Sequence, residues 1–353
     1  MNFGSDNQAG VAPAILQTLA QASSGIQSAY GNDDWSARAQ QMLCETFGTE
    51  LQAFFVTTGT AANCLALSTL AQPWNAVLCH DMAHIAIDEN SAPEFFTGGA
   101  RLLPLATANG KLGAGDVDRF LATYPASAPH NMLPSAVSIS QVSENGLVYQ
   151  ADEVAALSAS ARRHGLRLHM DGARLANAVA ALQCQPADIT WKAGVDVLSL
   201  GASKNGALMA EAVVFFDTSL ARDFRPRLKR SGQLVSKSRL IGAQFCAWLQ
   251  DGYWLQLARQ SNAIAAELAA ALAASGRVRL SWPTEANEVF AIMPRSLYEH
   301  LLAQGVRCAD WYATSVPPGM SVADDELVVR FVTAWSSSSE EVQALLAAIQ
   351  SAA

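Results

Sequence analysis

A chain of 353 residues, half of them hydrophobic and only 15% charged, can bury a large core and is too apolar to be disordered. Its net charge of −8 argues against a nucleic-acid backbone as the main partner, because such partners select for excess Lys and Arg. The low charged fraction also points to an oligomer whose subunit faces are buried.

The elements alternate along the chain. Residues 53–57 (AFFVT) read as a short strand, followed by the turn Thr58-Gly59-Thr60 and a helix over 61–70. Short buried strands follow at 76–79 (AVLC), 102–105 and 136–141 (AVSISQ), the last closed by the turn Glu144-Asn145-Gly146. Residues 152–164 form a helix ended by Gly165, then 166–170 form a strand that stops at Asp171. Strands at 195–200 and 212–216 flank the segment Gly201-Ala202-Ser203-Lys204. Beyond about residue 240 the pattern changes to helices at 241–257, 262–274 and 339–350, with strands at 278–282, 288–293 and 327–331. This predicts an α/β chain with a mostly parallel sheet: a large domain over 1–240 with an N-terminal arm, and a smaller C-terminal α/β domain over 241–353. Ligands of such sheets bind beyond the carboxyl ends of the strands, where Thr58–Thr60, Asp171 and Lys204 all fall.

The six cysteines form no CxxC pair and sit in apolar runs, so they read as free buried thiols rather than a zinc or redox site. The start, MNFGSDNQAG, lacks the basic and apolar regions of a signal peptide, and no run of about 18 apolar residues is present. The expected setting is cytoplasmic and reducing, with no membrane contact.

Four features carry possible chemistry. Lys204 stands in a stretch of small and apolar residues; it either reaches out to solvent or is an amine kept ready to attack a carbonyl. Asp171 ends a strand before Gly172 and Arg174; it either caps a helix or holds a proton on a heteroaromatic ring nitrogen. The turn Thr58-Gly59-Thr60-Ala61 opens a helix and offers free N–H groups to an anion, although it matches neither GxxxxGK nor GxGxxG. His80 and His84 are four apart, but no Glu follows His80 and no third ligand is evident, so no metal site is expected and His84 suits a ring stack or acid–base work. An anion turn, a histidine, a strand-end carboxylate and a lysine, in that order, describe the needs of pyridoxal 5′-phosphate.

With these residues in view, the chain resembles the threonine aldolase family of fold-type I pyridoxal-phosphate enzymes over essentially its whole length. The matching segments are Ser5-Asp6-Asn7, AYGNDDW (29–35), TGTAAN (58–63), MAH (82–84), HMDGAR (169–174), ASKNG (202–206) and VVRFV (328–332). The stretches ISQVSENGLVY and TWKAGVDVLSLGASKNG are most similar to the bacterial low-specificity L-threonine aldolase and phenylserine aldolase branch.

The resemblance implies a large domain with a seven-stranded sheet, and cleavage of L-threonine, L-allo-threonine or phenylserine to glycine and an aldehyde. It implies that Lys204 binds the cofactor, Asp171 pairs with its ring nitrogen, and His84 stacks on its face and helps handle protons. Gly59, Thr60 and Ala61 would hold the phosphate, joined by Lys229 and Lys237 from a neighbouring subunit of a homotetramer. Arg174 would serve both cofactor and substrate, and Ser5, Arg174 and Arg330 would bind the substrate carboxylate. Where many members have a histidine at the substrate hydroxyl, this chain has Glu144, which becomes a catalytic candidate. Another fold-type I lyase or racemase is the alternative, because fold does not fix chemistry.

Overall fold

Seven strands form the main sheet: β1 (Gln52–Val56), β2 (Asn75–His80), β3 (Arg101–Leu105), β4 (Leu133–Ser140), β5 (Arg167–Gly172), β6 (Val197–Gly201) and β7 (Glu211–Phe215). The computed structural model describes residues 1–125 and 127–352. The strand order is β1-β7-β6-β5-β4-β2-β3. Strands β3, β2, β4, β5 and β6 pair in parallel, whereas β7 runs antiparallel to both β6 and β1. All five residues of β6 and of β7 are buried, which explains why they read as apolar runs rather than alternating ones.

Helices cover both faces. The Gly59–Leu70 helix is apolar almost all round because it is buried against Val77, Cys79, Val213 and Phe215. The Asp34–Phe47 helix starts where Asp33 Oδ1 accepts from the Ser36 N–H at 2.8 Å, and ends at Gly48 in the left-handed conformation.

A second, antiparallel sheet contains β8 (Arg279–Leu280), β9 (Glu288–Pro294), β10 (Ala309–Trp311) and β11 (Glu326–Val332), in the order β10-β11-β9-β8. The strand expected over 278–282 is only the two residues of β8, and β10 was not anticipated. Both are too short to show a period.

The helix expected over 241–257 is two helices, Arg239–Leu249 and Tyr253–Ala274. Between them Asp251 and Gly252 both take positive φ (52° and 72°), a turn that Asp and Gly tolerate and that a helix cannot contain. Trp248, Trp254 and Leu257 pack into the core of the large sheet, while Ile264, Leu268 and Leu272 pack into that of the small sheet. The change of partner thus occurs within the Tyr253–Ala274 helix.

The N-terminal arm crosses between the two cores. Phe3 is fully buried against Phe331 of β11, with ring centroids 6.3 Å apart, and Val332 N donates to the Phe3 carbonyl at 2.8 Å. No helix among the described residues is long and apolar enough to cross a membrane.

Candidate active site

The carboxyl ends of β4, β5 and β6 border a cavity of ≈ 310 Å³ whose lining includes Lys204, Asp171, His84, Glu144 and the Thr57–Thr60 turn. Lys204 lies in a short 3₁₀ turn (Ser203–Asn205) immediately after β6. That turn is fixed from several sides. Asn205 Nδ2 donates to the Trp254 carbonyl at 2.8 Å, and Trp248 Nε1 donates to the Asn205 carbonyl at 3.1 Å. Gly206 has φ +97°, and a Cβ there would stand 2.9 Å from Leu257, so only glycine can close the turn. Lys204 Nζ has no hydrogen bond or ion pair among the described residues, which leaves the amine free on a rigid base.

Asp171 ends β5 and is buried. Its Oδ1 accepts from the Ala173 N–H at 3.0 Å and its Oδ2 from Asn63 Nδ2 at 2.7 Å. The same Asn63 nitrogen donates to Glu89 Oε1 at 2.9 Å, and that oxygen lies 2.8 Å from His84 Nδ1. One ligand atom each from His84, Glu89 and Asp171 lies within 4.8 Å of the others. The hydrogen bond with Glu89 raises the His84 imidazole above its ordinary pKa; burial opposes this, and the charges of Asp171 and Glu144 assist it.

Glu144 Oε1 accepts from the His84 backbone N–H at 3.2 Å. Withdrawal from water raises the Glu144 carboxyl, against the lowering fields of His84 and Lys204.

Thr58 caps the Gly59–Leu70 helix, its Oγ1 accepting from the Ala61 N–H at 3.1 Å. The Gly59 and Thr60 N–H groups are first-turn donors with no helical carbonyl to meet, and the space beside Gly59 is open. Ala61 is spent on the cap rather than free for an anion.

Arg174 lines the cavity but is already gripped. Its Nε and Nη2 donate to Asp6 Oδ2 and Oδ1 at 2.7 and 3.0 Å, and its Nη1 lies 3.2 Å from Glu288 Oε2. Burial pushes Asp6 up, but Arg174, Lys204 and the hydrogen bonds from Arg174 and Asn287 outweigh it and hold the carboxyl below its ordinary range. Arg330 stands behind, 4.2 Å from the Trp311 ring centre and 3.9 Å from Glu288. Ser5 caps the Asp6–Gln8 turn, and Asn7 reaches the cavity instead of it. Lys229 lies over the Tyr30 ring at 5.3 Å, and neither it nor Lys237 lines this chain's cavity; both are exposed.

Of the residues expected at the site, the fold brings together Lys204, His84, Glu144, Gly59, Thr60, Asp171 and Arg174. Asn63, Glu89, Asp6, Glu288 and Glu211 carry the supporting network and had been given no role. Glu211 is the one charge in its apolar run, whereas Glu89 directly follows Asp88 and stands out by nothing.

The β-eliminating lyase family model matches residues 2–295. The low specificity L-threonine aldolase of Pseudomonas aeruginosa is 41% identical over 97% of this chain and 95% of its own length. That of a further Pseudomonas strain is 40% identical over 99% and 96%. The solved structure of Leishmania major threonine aldolase superimposes with a TM-score of 0.90 at 29% identity, covering 99% of this chain and 98% of that one. Serine palmitoyltransferase from Sphingomonas wittichii, at 17% identity and a TM-score of 0.72, shares the fold alone. A lysine after a strand, a carboxylate at the neighbouring strand's end and a family match across most of the length agree, and the chain belongs to the β-eliminating lyase family of fold-type I pyridoxal-phosphate enzymes.

Proposed function

We propose that this chain cleaves L-β-hydroxy-α-amino acids between Cα and Cβ, giving glycine and an aldehyde, with L-threonine, L-allo-threonine and phenylserine as substrates. The observation that carries the reading is the convergence of an unpaired Lys204, a buried Asp171 and the open N-terminus of the Gly59–Leu70 helix on one cavity. The donor set fits pyridoxal 5′-phosphate: Lys204 for its aldehyde carbon, Asp171 for its ring nitrogen, His84 for its face, and the Gly59 and Thr60 N–H groups for its phosphate. Held there, the cofactor supplies an electron sink for the pair released from the broken bond.

The chain's own residues do the rest. Asp171, with both oxygens already anchored, holds a proton at the ring nitrogen. Glu144, its carboxyl raised by burial, accepts the β-hydroxyl proton as general base, and His84 beside it steadies the charge that appears. Arg174 meets the substrate carboxylate without a search for its rotamer, because Asp6 fixes the guanidinium in advance. Arg330 supports the same task through Glu288. The direction in which the carboxylate is held decides which bond at Cα stands perpendicular to the ring, and so selects cleavage.

The finer expectations belong with this reading. Leu208 and Met209, half exposed at the cavity mouth, are apolar surface that a neighbouring copy would cover. Such a copy would bring Lys229 and Lys237 to the phosphate, in keeping with a homotetramer. Six free thiols suit a reducing, cytoplasmic setting.

The test is reconstitution with pyridoxal phosphate followed by a substrate panel. The expected result is a visible absorbance band from the lysine-bound cofactor, lost in Lys204→Ala, with glycine and aldehyde formed in equal amounts. A reconstituted protein without the band, or one releasing a 2-oxo acid and ammonia instead, would overturn the reading.

A further inference from the structure

Glu211 is a buried carboxylate that none of the steps above uses. It opens β7, the only charge in a strand whose remaining residues are Ala, Val, Val and Phe. It is 6% exposed and lines the same cavity as Lys204. Withdrawing a carboxylate from water costs several kcal/mol unless a partner compensates, and the strand itself offers none.

Three carboxylates feel the field of Lys204: Asp6, Glu144 and Glu211. Asp6 is neutralised by the Arg174 fork at 2.7 and 3.0 Å. Glu144 has His84 as a second cation. Glu211 has neither: Lys204 is the cation that acts on it, and its hydrogen bonds come from Ser203 alone, from the hydroxyl and from the N–H 3.4 Å from Oε1. Ser203 is the residue before Lys204, so the carboxylate grips the lysine's own turn.

The sheet makes room for it there. Glu211 pairs in register with Gly201 of β6, and a Cβ on Gly201 would stand 2.9 Å from Glu211 Oε2 and 2.9 Å from the Ala173 Cα. Any other residue at 201 would push the carboxylate off this spot. The groups facing Glu211 are thus Lys204 and Ser203 from the turn after β6, and Asp171 from β5, whose charge opposes its ionisation. Burial, the largest influence, raises the Glu211 carboxyl to about 7, against the lowering effects of Ser203 and Lys204.

We propose that Glu211 is a positioning residue that serves as the counter-charge of Lys204, stabilising the protonated nitrogen of that lysine when it is bound to the cofactor and again when substrate has released it. The proposal rests on the cofactor reading above. No bond is made or broken by Glu211 itself. It supplies, across the same cavity, a negative charge whose field reaches a nitrogen that must carry a proton to be attacked and must shed one to attack.

The test is a spectrophotometric pH titration of the holoenzyme without substrate, following the band of the Lys204-bound cofactor. Loss of a carboxylate close to a protonated nitrogen removes an opposite charge, so in Glu211→Gln the midpoint moves down by about one pH unit. Gln keeps the shape and can still accept from Ser203. Glu211→Asp retains the charge and keeps its midpoint near that of the parent. A Glu211→Gln midpoint equal to the parent's, or an equal shift in both variants, overturns the proposal. The two readings fail differently: without a band in the parent protein the cofactor reading falls, whereas a normal band with an unmoved midpoint removes only the role of Glu211.

Discussion

Asn63 Nδ2 lies 2.7 Å from Asp171 Oδ2, joining the first helix beyond β1 to the end of β5 through one buried hydrogen bond. The same nitrogen reaches Glu89, so two buried carboxylates share one amide. Replacing Asn63 by Ala leaves both facing each other with that donor gone. Hydrogen bonds to charged groups contribute about 1.5–3 kcal/mol, so cofactor retention should weaken by about tenfold or more. Equilibrium titration of the cofactor by absorbance measures this; an affinity equal to that of the parent would show that Asp171 needs no such support.

Glu89→Gln acts on His84. The His84 pKa is raised in the folded protein, so its contribution to stability is fully present below its unfolded value of about 6.5 and is lost as pH rises through the folded value. The variant should therefore be less stable than the parent by about 1 kcal/mol in mildly acidic solution, with the gap closing in alkaline solution. Paired urea titrations at the two extremes check it. A gap independent of pH would point to packing alone.

Glu144→Gln removes the group assigned to the β-hydroxyl proton. General bases contribute about 10²–10⁴-fold, and kcat for phenylserine should fall within that range. Because burial raises the Glu144 carboxyl above its ordinary 4.5, the acid limb of the parent's kcat profile should lie above that value and disappear in the variant. Equal kcat across the pH range would take Glu144 out of the mechanism.

His169 sits beneath the site, fully buried, with Nδ1 2.9 Å from Ser138 Oγ and Nε2 3.0 Å from Ser199 Oγ. Burial pushes its pKa down to about 4. A depressed histidine favours the folded state above its unfolded pKa and loses that advantage as pH falls from about 6.5 to about 4, at most about 3 kcal/mol. Acid unfolding of the parent should steepen over that interval, and His169→Gln should flatten it. An unchanged slope in the variant would assign the acid sensitivity elsewhere.

The main sheet and the central pair Lys204 and Asp171 are legible in the amino-acid order because charges at the ends of apolar strands stand out. The supporting network is not. Asn63 lies inside an apolar helix, where an asparagine gives no hint of a partner more than a hundred positions away. Arg174 is legible as a cation beside a strand-end carboxylate, but its clasp by Asp6 depends on where the arm lies. Glu211 escaped for a topological reason. In a parallel strand the first residue lies at the edge away from the ligand, and nothing in the pattern EAVVF reveals that β7 runs the other way. The break at Asp251-Gly252 was readable as a turn pair, yet the apolar spacing on either side masked it.

The arm has a mechanical consequence. Phe3 is embedded beside β11, and Asp6 clasps the guanidinium that lines the cavity, with only three residues' travel between them, about 10 Å when fully drawn out. That is a short tether. A rotation of the small sheet would drag Phe3 along and, through Asp6, act on Arg174, so the posture of the C-terminal unit and the placement of that guanidinium in the cavity are geared to one another by the first few residues of the chain.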